Sequence, residues 1–380
     1  MTKLFYVGLA ALCLFEVLNV YFIMPMPGSQ EHETIAFAYF LYTSRWWIRG
    51  VLLAMALLGF RAAFSGRHKW VPALMILLTT GIGYAFNFKM TADHMFLQPA
   101  EVKFASKAEN QIPPSRLVLG VEQGGQAKAY PIEYLTYHHQ VQDTIGGKPV
   151  IVTYCSVCRT GRVFEPLVDG HPETFRLVGM DHYNAMFEDA TTRSWWRQVT
   201  GEAITGKRKG QQLPEVPSQQ MTIEKWYTLY PDGLVMQPDP VSLSIYDSLA
   251  NFEQGKNKGR LTRTDTISWS DKSWIIGIEA GSISKAYDWN MLRENKIIHD
   301  TIRQIPVVIV LSSDGKSFAA FKRAPQQFFT LSPEDIMRSD STEYDFTGRD
   351  LTSGKYPLER IQASQEFWHS WKYFHPGTLR

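Results

Sequence analysis

The first ninety residues carry long apolar runs separated by short polar turns, and the remaining 290 do not. Leu4 to Met24 is almost unbroken, with Glu16 and Asn19 the main interruptions, and Trp70 to Phe88 carries no charge. Helices of this length cross a hydrocarbon core of ~30 Å. Between them lies a weaker segment, about Trp47 to Phe64, whose clean core Gly50 to Phe60 is flanked by Arg49 and Arg61. Ile35 to Tyr42 extends it into one long helix if Arg45 and Arg49 snorkel to the interface. No small-x-small cleavage site follows the first run, where the chain reads Met24-Pro25-Met26-Pro27. A retained anchor of about three transmembrane helices over residues 1–90 is therefore expected, not a signal peptide. The turn holding Arg61, Arg67 and Lys69 is expected on the cytoplasmic side, which with three spans puts everything after Phe88 outside.

Behind the anchor the chain repeats itself. Gly120-Val121-Glu122 recurs as Gly277-Ile278-Glu279, and Lys128-Ala129-Tyr130 as Lys285-Ala286-Tyr287. Asp143-Thr144-Ile145 recurs as Asp300-Thr301-Ile302, and Pro149 to Val152 as Pro306 to Ile309, every pair displaced by 157 positions. Further on, Leu213, Trp226 and Pro231 are echoed by Leu358, Trp371 and Pro376 at a displacement of 145, so the second copy is shortened in its middle. Within the first copy, Arg116 to Val121 and Gln126 to Tyr130 read as strands around a Gly124-Gly125 turn. Pro131 to Tyr137 reads as a short helix with Pro131 at its start. Val150 to Tyr154 is a buried-type strand, Arg162 to Leu167 and Thr174 to Val178 are further strands, and Thr222 to Tyr230 is a short helix stopped by Pro231. The expected fold is α+β and strand-rich: an internally duplicated, two-lobed domain behind an N-terminal α-helical membrane anchor. Its first lobe is 91–236, its connecting segment 237–266, with 254–260 exposed and mobile, and its second, degenerate lobe 267–380.

Composition narrows the partners. A net charge of +2 excludes a strongly basic nucleic-acid binder, and three cysteines exclude a disulfide-rich scaffold. The lipid bilayer is the one expected partner. Gly201 to Lys207 reads Gly-x-x-x-x-Gly-Lys, one residue short of a phosphate-binding loop, and Arg208 stands where that loop needs Ser or Thr, so no nucleotide is expected.

Val118 to Val121, Lys128 to Pro131, Asp143 to Pro149, Val152 to Cys158, Asp189 to Gln198 and Gly201 to Gly206 stand in this order. From about Arg116 to the C-terminus the chain resembles the bacterial family called domain of unknown function 3179, most specifically at the tyrosine-cysteine-x-x-cysteine stretch. The family pattern has Pro-Leu between the cysteines and Gly after the second; here Ser156-Val157 and Arg159 stand instead. The resemblance implies architecture more than activity. With the three spans it places the protein in the cytoplasmic (inner) membrane of a bacterium, multi-pass, with the large domain extracytoplasmic.

The candidate chemistry centres on Cys155 and Cys158, just after a buried-type strand. Outside the cytoplasm three fates are open to such a pair: a redox-active disulfide, a soft-metal site for copper(I) or zinc, or an inert structural bridge. Arg159 stands where covalent haem attachment needs His. The second copy carries Ser312 and Gly315 at these positions, so the scaffold forms without the pair. Further ligand candidates are Met180 and His182, with Asp181, Met186, His171, His138 and His139 nearby in sequence. Tyr154, Asp189, Ser194 and Trp196 are pocket candidates, although Asp with Thr192 and Ser194 downstream also suits a turn or cap. Two functions compete: a thiol-redox or copper/zinc site at the cysteines, and a non-catalytic ligand-binding or interaction module in which they staple a loop.

Overall fold

The computed structural model describes residues 1–380, Ala250 excepted. The apolar runs form helices α1 (Thr2–Tyr21), α2 (Ile35–Phe64) and α3 (Trp70–Phe88), each long and apolar enough to cross a membrane. The weak middle segment and its extension are one helix of 30 residues. At 1.5 Å per residue it rises ~45 Å, longer than a ~30 Å core. Helices α1 and α2 cross closely because glycines remove the side chains between them. A Cβ on Gly59 would lie 2.5 Å from the Phe5 backbone nitrogen, and one on Gly8 2.9 Å from that of Ala56. Such small-residue crossings replace the hydrophobic effect where lipid is the solvent. The buried Glu16 carboxylate accepts two bonds of 2.7 Å from Arg49 and one of 2.8 Å from Asn87, so one polar cluster ties all three helices.

The chain divides into two compact units, and the first holds more than the helices: Met1–Leu97 together with Glu173–Gln212. The second stretch is a four-stranded antiparallel sheet, Phe175–Asp181, Asn184–Asp189, Trp195–Arg197 and Ala203–Thr205. It packs on the start of α2 and on the loop before it. The Met180 N–H donates to the Ile23 carbonyl at 2.7 Å, and the Tyr183 N–H to Gln30 Oε1 at 3.2 Å. The Tyr42 hydroxyl donates to Glu188 at 3.0 Å, and Arg176 bridges Glu188 and Asp93 at 2.7 and 2.8 Å. Sequence reading left these strands in the first lobe, because their partners in α2 lie well over a hundred residues away and leave no periodic signal.

The second unit is Gln98–Pro172 with Leu213–Arg380. Here Leu117–Gln123 and Gln126–Pro131 form the hairpin of a five-stranded sheet, completed by Gln219–Thr222, Leu234–Met236 and Phe104–Ala105. The helix Ile132–His138 leads to a meander of Gln140–Ile145, Lys148–Cys155 and Thr160–Phe164. The later half has a hairpin of Trp274–Ala280 and Ile283–Asp288, joined by Ala363–Phe367, then the helix Trp289–Asn295 and a meander of Ile297–Ile302, Ile305–Leu311 and Phe318–Lys322.

The repeated motifs make the same contacts in both halves. Lys128 and Tyr130 hold Asp143 at 2.8 and 2.6 Å, and Lys285 and Tyr287 hold Asp300 at 2.7 and 2.9 Å. A Cβ on Gly120 would lie 2.3 Å from the Trp226 ring, and one on Gly277 would lie 2.1 Å from that of Trp371. The helices end alike, on left-handed His139 (φ 61°) and Lys296 (φ 63°). Mixed helix and strand in several small sheets is thus the observed class. The connecting segment holds an unforeseen helix, Leu243–Glu253, which buries Tyr246, Phe252 and Glu253.

Replacing Gly59 by Leu should separate α1 from α2 and cost on the order of 1–3 kcal/mol by overpacking. Gly50, where a Cβ would meet nothing within 4 Å, is the control and should accept Leu without effect. The measurement is the thermal midpoint of the full chain in detergent; equal midpoints for the two variants would refute the crossing.

Candidate functional site

Val150 to Cys155 is buried throughout because Lys148–Cys155 is the middle strand of its meander. The chain turns at Ser156 and Val157 and returns in Thr160–Phe164, with Cys155 opposite Thr160. Closing this turn requires a left-handed residue, and Arg159 takes that role at φ 58°. A non-glycine residue there costs free energy unless its side chain recovers it. Arg159 does so while fully buried. It donates to Gln365 Oε1 at 2.9 Å and to the Phe252 and Glu253 carbonyls at 3.2 and 3.0 Å, and it stacks 3.7 Å over the Trp274 ring.

Cys155 and Cys158 are hydrogen-bonded to each other and wholly inaccessible to solvent. The later half of the unit completes their surroundings. The Phe367 N–H donates to the Cys158 carbonyl at 2.9 Å, and the Lys272 ammonium to the Val157 carbonyl at 2.7 Å. The His369 ring hydrogen-bonds the Cys158 thiol, and its Nδ1 lies 3.1 Å from the Asp271 carbonyl. That carbonyl can only accept, so Nδ1 carries the proton and Nε2 is left to face the sulfur. Burial pushes the Cys158 thiol well up, reinforced by Cys155 and partly opposed by His369. Burial also holds the Lys272 ammonium down to about 8, against the pull of the two sulfurs. His139, whose Nδ1 meets the Tyr154 carbonyl at 2.9 Å, is held down to about 4 by burial and is neutral at pH 7.

The other candidates have different surroundings. Met180 and His182 lie in the first unit and the cysteines in the second. His182 Nδ1 pairs with Asp181 at 2.8 Å, whose carboxylate also takes Arg197. Among the described residues no group of three or more His, Cys, Asp or Glu side chains is arranged to hold a metal ion, and no disulfide is formed. Asp189 organises a turn: it accepts from the N–H groups of Thr192, Arg193 and Ser194 and from Trp196 Nε1 at 2.9 Å. The Tyr154 hydroxyl, in the second unit, is buried without a hydrogen-bond partner. The strand Ala203–Thr205 runs through the Gly201 to Lys207 stretch, which therefore does not form a phosphate-cradling loop.

Sequence reasoning missed Lys272, His369 and Glu253, which reach their places through long-range packing. One signal was present: at displacements of 157 and 145, Lys272 and His369 answer to Ser115 and Glu224, so both depart from the repeat. Glu253 is buried to 4 % exposure and one oxygen accepts the Leu117 N–H. Burial pushes its carboxyl up to about 7 against the Leu117 N–H, Arg116 and Lys316, with Glu133 adding to the rise. A raised folded-state value means stability falls as pH rises from the ordinary carboxylate range through about 7. Glu253→Gln should therefore be neutral at pH 5 and stabilising at pH 8, by at most about 3 kcal/mol. Thermal midpoints of variant and parent at the two pH values check this; a parallel shift at both would contradict it.

Comparison with curated proteins and with solved structures finds no match. The family described as "Protein of unknown function (DUF3179)" matches residues 97–378, which takes in all of the cysteine turn, Lys272 and His369. Since that is most of the chain, the protein belongs to this family.

Proposed function

We propose that this is a membrane-anchored protein whose extracytoplasmic domain carries a thiol-redox centre at Cys155 and Cys158, served by Lys272 and His369. The observation that carries the reading is the company the two buried sulfurs keep: each other, the His369 imidazole at Cys158, and the Lys272 ammonium on the carbonyl of Val157 between them. An imidazole acceptor oriented by a backbone carbonyl is how a thiol is readied to lose its proton. A nearby ammonium favours the thiolate. Oxidation would remove two protons and two electrons from the thiols, the electrons passing to a partner disulfide by exchange.

The outward orientation draws on Trp46 and Trp47, 70 % and 82 % exposed, while Arg49 beside them turns inward to Glu16. Exposed indoles suit a membrane interface. With the boundary there, Trp47 to Phe64 spans the core, and the start of α2 stands clear with the sheet it carries. The basic turn Arg61 to Lys69 then faces the cytoplasm.

The domain itself is read as a duplication, with lobes 91–236 and 267–380 and a connection at 237–266. Glu173–Gln212 is then an insertion in the first lobe. The paired Lys-Tyr-Asp and Gly-Trp contacts favour this origin. The second lobe keeps the turn but holds it differently: the Ser313 N–H donates to Asp335 at 2.6 Å, and Ser312 and Lys225 bond the same carboxylate. A turn that closes without sulfur argues for a task at Cys155 and Cys158 beyond holding it shut.

The test uses the full chain in detergent with Cys13→Ser, so that only two thiols remain. Equilibrated against glutathione redox buffers and quenched with acid, the pair should interconvert with a potential above about −300 mV, the range of labile disulfides. Lys272→Gln should slow thiol alkylation at pH 7.5 severalfold. A bridge that no glutathione buffer reduces would make it a staple. Two thiols inert to oxidant but holding stoichiometric zinc or copper(I) would replace redox chemistry with a metal site.

A further inference from the structure

The second unit contains a cavity of about 620 Å³ that the cysteines do not line. Trp274 and Trp289 form one wall, their ring centroids 6.0 Å apart. The floor is Gln220, Gln365 and Glu253, with Gln220 Nε2 donating to Gln365 Oε1 at 3.1 Å. Arg293, Lys296 and Lys316 bring three cations to its lining.

Three carboxylates, Glu253, Glu294 and Asp314, share the lining with the three cations, and they differ in how far each is already bonded. Asp314 is largely compensated, accepting from the Thr222 hydroxyl at 3.0 Å and from the Lys316 and Ser317 N–H groups at 2.8 Å. Lys316 gives one bond to the Ser115 carbonyl at 2.8 Å. Glu294 is exposed to solvent. The second oxygen of Glu253 is buried without a hydrogen-bond partner, its nearest cation, Arg116, standing 3.7 Å away. A buried polar atom in that state costs ~1–3 kcal/mol, which a ligand can recover by bonding to it.

We propose that this cavity binds a small, hydroxylated organic anion of the sugar-acid class. The anionic group sits among Arg293, Lys296 and Lys316. The C–H face of the ring lies along the indoles, and a hydroxyl reaches the orphan oxygen of Glu253. The carboxamides of Gln220 and Gln365 supply the donors and acceptors that a polyol needs. Inorganic anions lack the body to reach from the cations to Glu253, and neutral sugars lack the charge.

Titration calorimetry of the full chain in detergent tests this with D-glucuronate, D-glucose and acetate. Glucuronate should bind saturably, and glucose and acetate at least about tenfold more weakly, the loss of one good contact. Arg293→Gln with Lys296→Gln, the first exposed and the second half-buried, should weaken glucuronate about tenfold or more with the thermal midpoint little changed. Glu253→Ala should weaken glucuronate while leaving acetate as it was. Cys155→Ser with Cys158→Ser should leave binding intact, so failure here and failure of the redox reading are separate results. Absence of glucuronate binding, glucose binding as tightly, or binding untouched by the double arginine–lysine variant would each overturn the proposal.

Discussion

Two buried guanidiniums hold the second unit together around the cysteine turn. Arg159 closes the turn from a left-handed backbone position and spends its side chain on Gln365, on two carbonyls at the end of Leu243–Glu253 and on the Trp274 ring. Arg162, on the returning strand, bonds the fully buried Glu366 at 3.0 Å. Taking such cations from water is expensive, and the expense is met only with every partner in place. Truncating Arg162 would strand the buried Glu366 charge, a loss of the order of 3–5 kcal/mol, and truncating Arg159 would strand neutral acceptors at ~1–3 kcal/mol each. The glycine of the family pattern would give the turn its geometry without these bonds. Arg159 instead accepts backbone strain in exchange for tethering the turn to the connecting helix and to Ala363–Phe367.

That tether explains why thiols on one strand sit beside Lys272 and His369. Ala363–Phe367 is fixed by Arg159 through Gln365 and by Arg162 through Glu366, and Phe367 then meets the Cys158 carbonyl. The helix that follows begins at Trp368 and sets His369 at its start. Lys272 arrives on the segment leading into Trp274–Ala280, the neighbouring strand. Burial then acts on both groups in the same sense, toward the neutral thiol and the neutral amine. Each charge is costly alone, so thiolate and ammonium favour one another as a pair.

What the sequence revealed follows the range of the interactions involved. Runs of about twenty apolar residues marked α1 and α3 because lipid imposes the same demand on every turn. The hairpin around Gly124 and Gly125 and the helix opening after Pro131 were legible for a local reason, since turn and cap chemistry is written in neighbouring residues. The repeat disclosed the Lys-Tyr-Asp and Gly-Trp contacts as pattern before any geometry explained them. Of the sheet carried by α2 only the strand at Thr174 to Val178 was legible, and its docking was not, because Ile23, Tyr42 and their partners share no spacing. Nor was the helix Leu243–Glu253, which carries few strong signals of its own and is held by Arg159 from another element.

The candidate site divides the same way. Cys155 and Cys158 were visible as a spaced pair, but their character depends on Lys272 and His369, which lie over a hundred residues further on. The second-lobe counterparts sharpen the point. Ser312 and Gly315 occupy the equivalent turn, and Asp335 binds Ser312 together with Lys225, which the earlier half contributes. Each turn is thus completed by a lysine from the other half: Lys272 beside sulfur, Lys225 beside a carboxylate. On the duplication reading the two lysines are not counterparts, since Lys272 answers to Ser115 and Lys225 to Ser370, so each half supplies its own lysine to the other's turn. At the sulfur-bearing turn burial holds Lys272 down to about 8, against the pull of the two sulfurs and of Asp265 and Asp271. A lysine in that state can lend or withhold its charge near neutral pH, beside sulfurs whose ionisation it would favour.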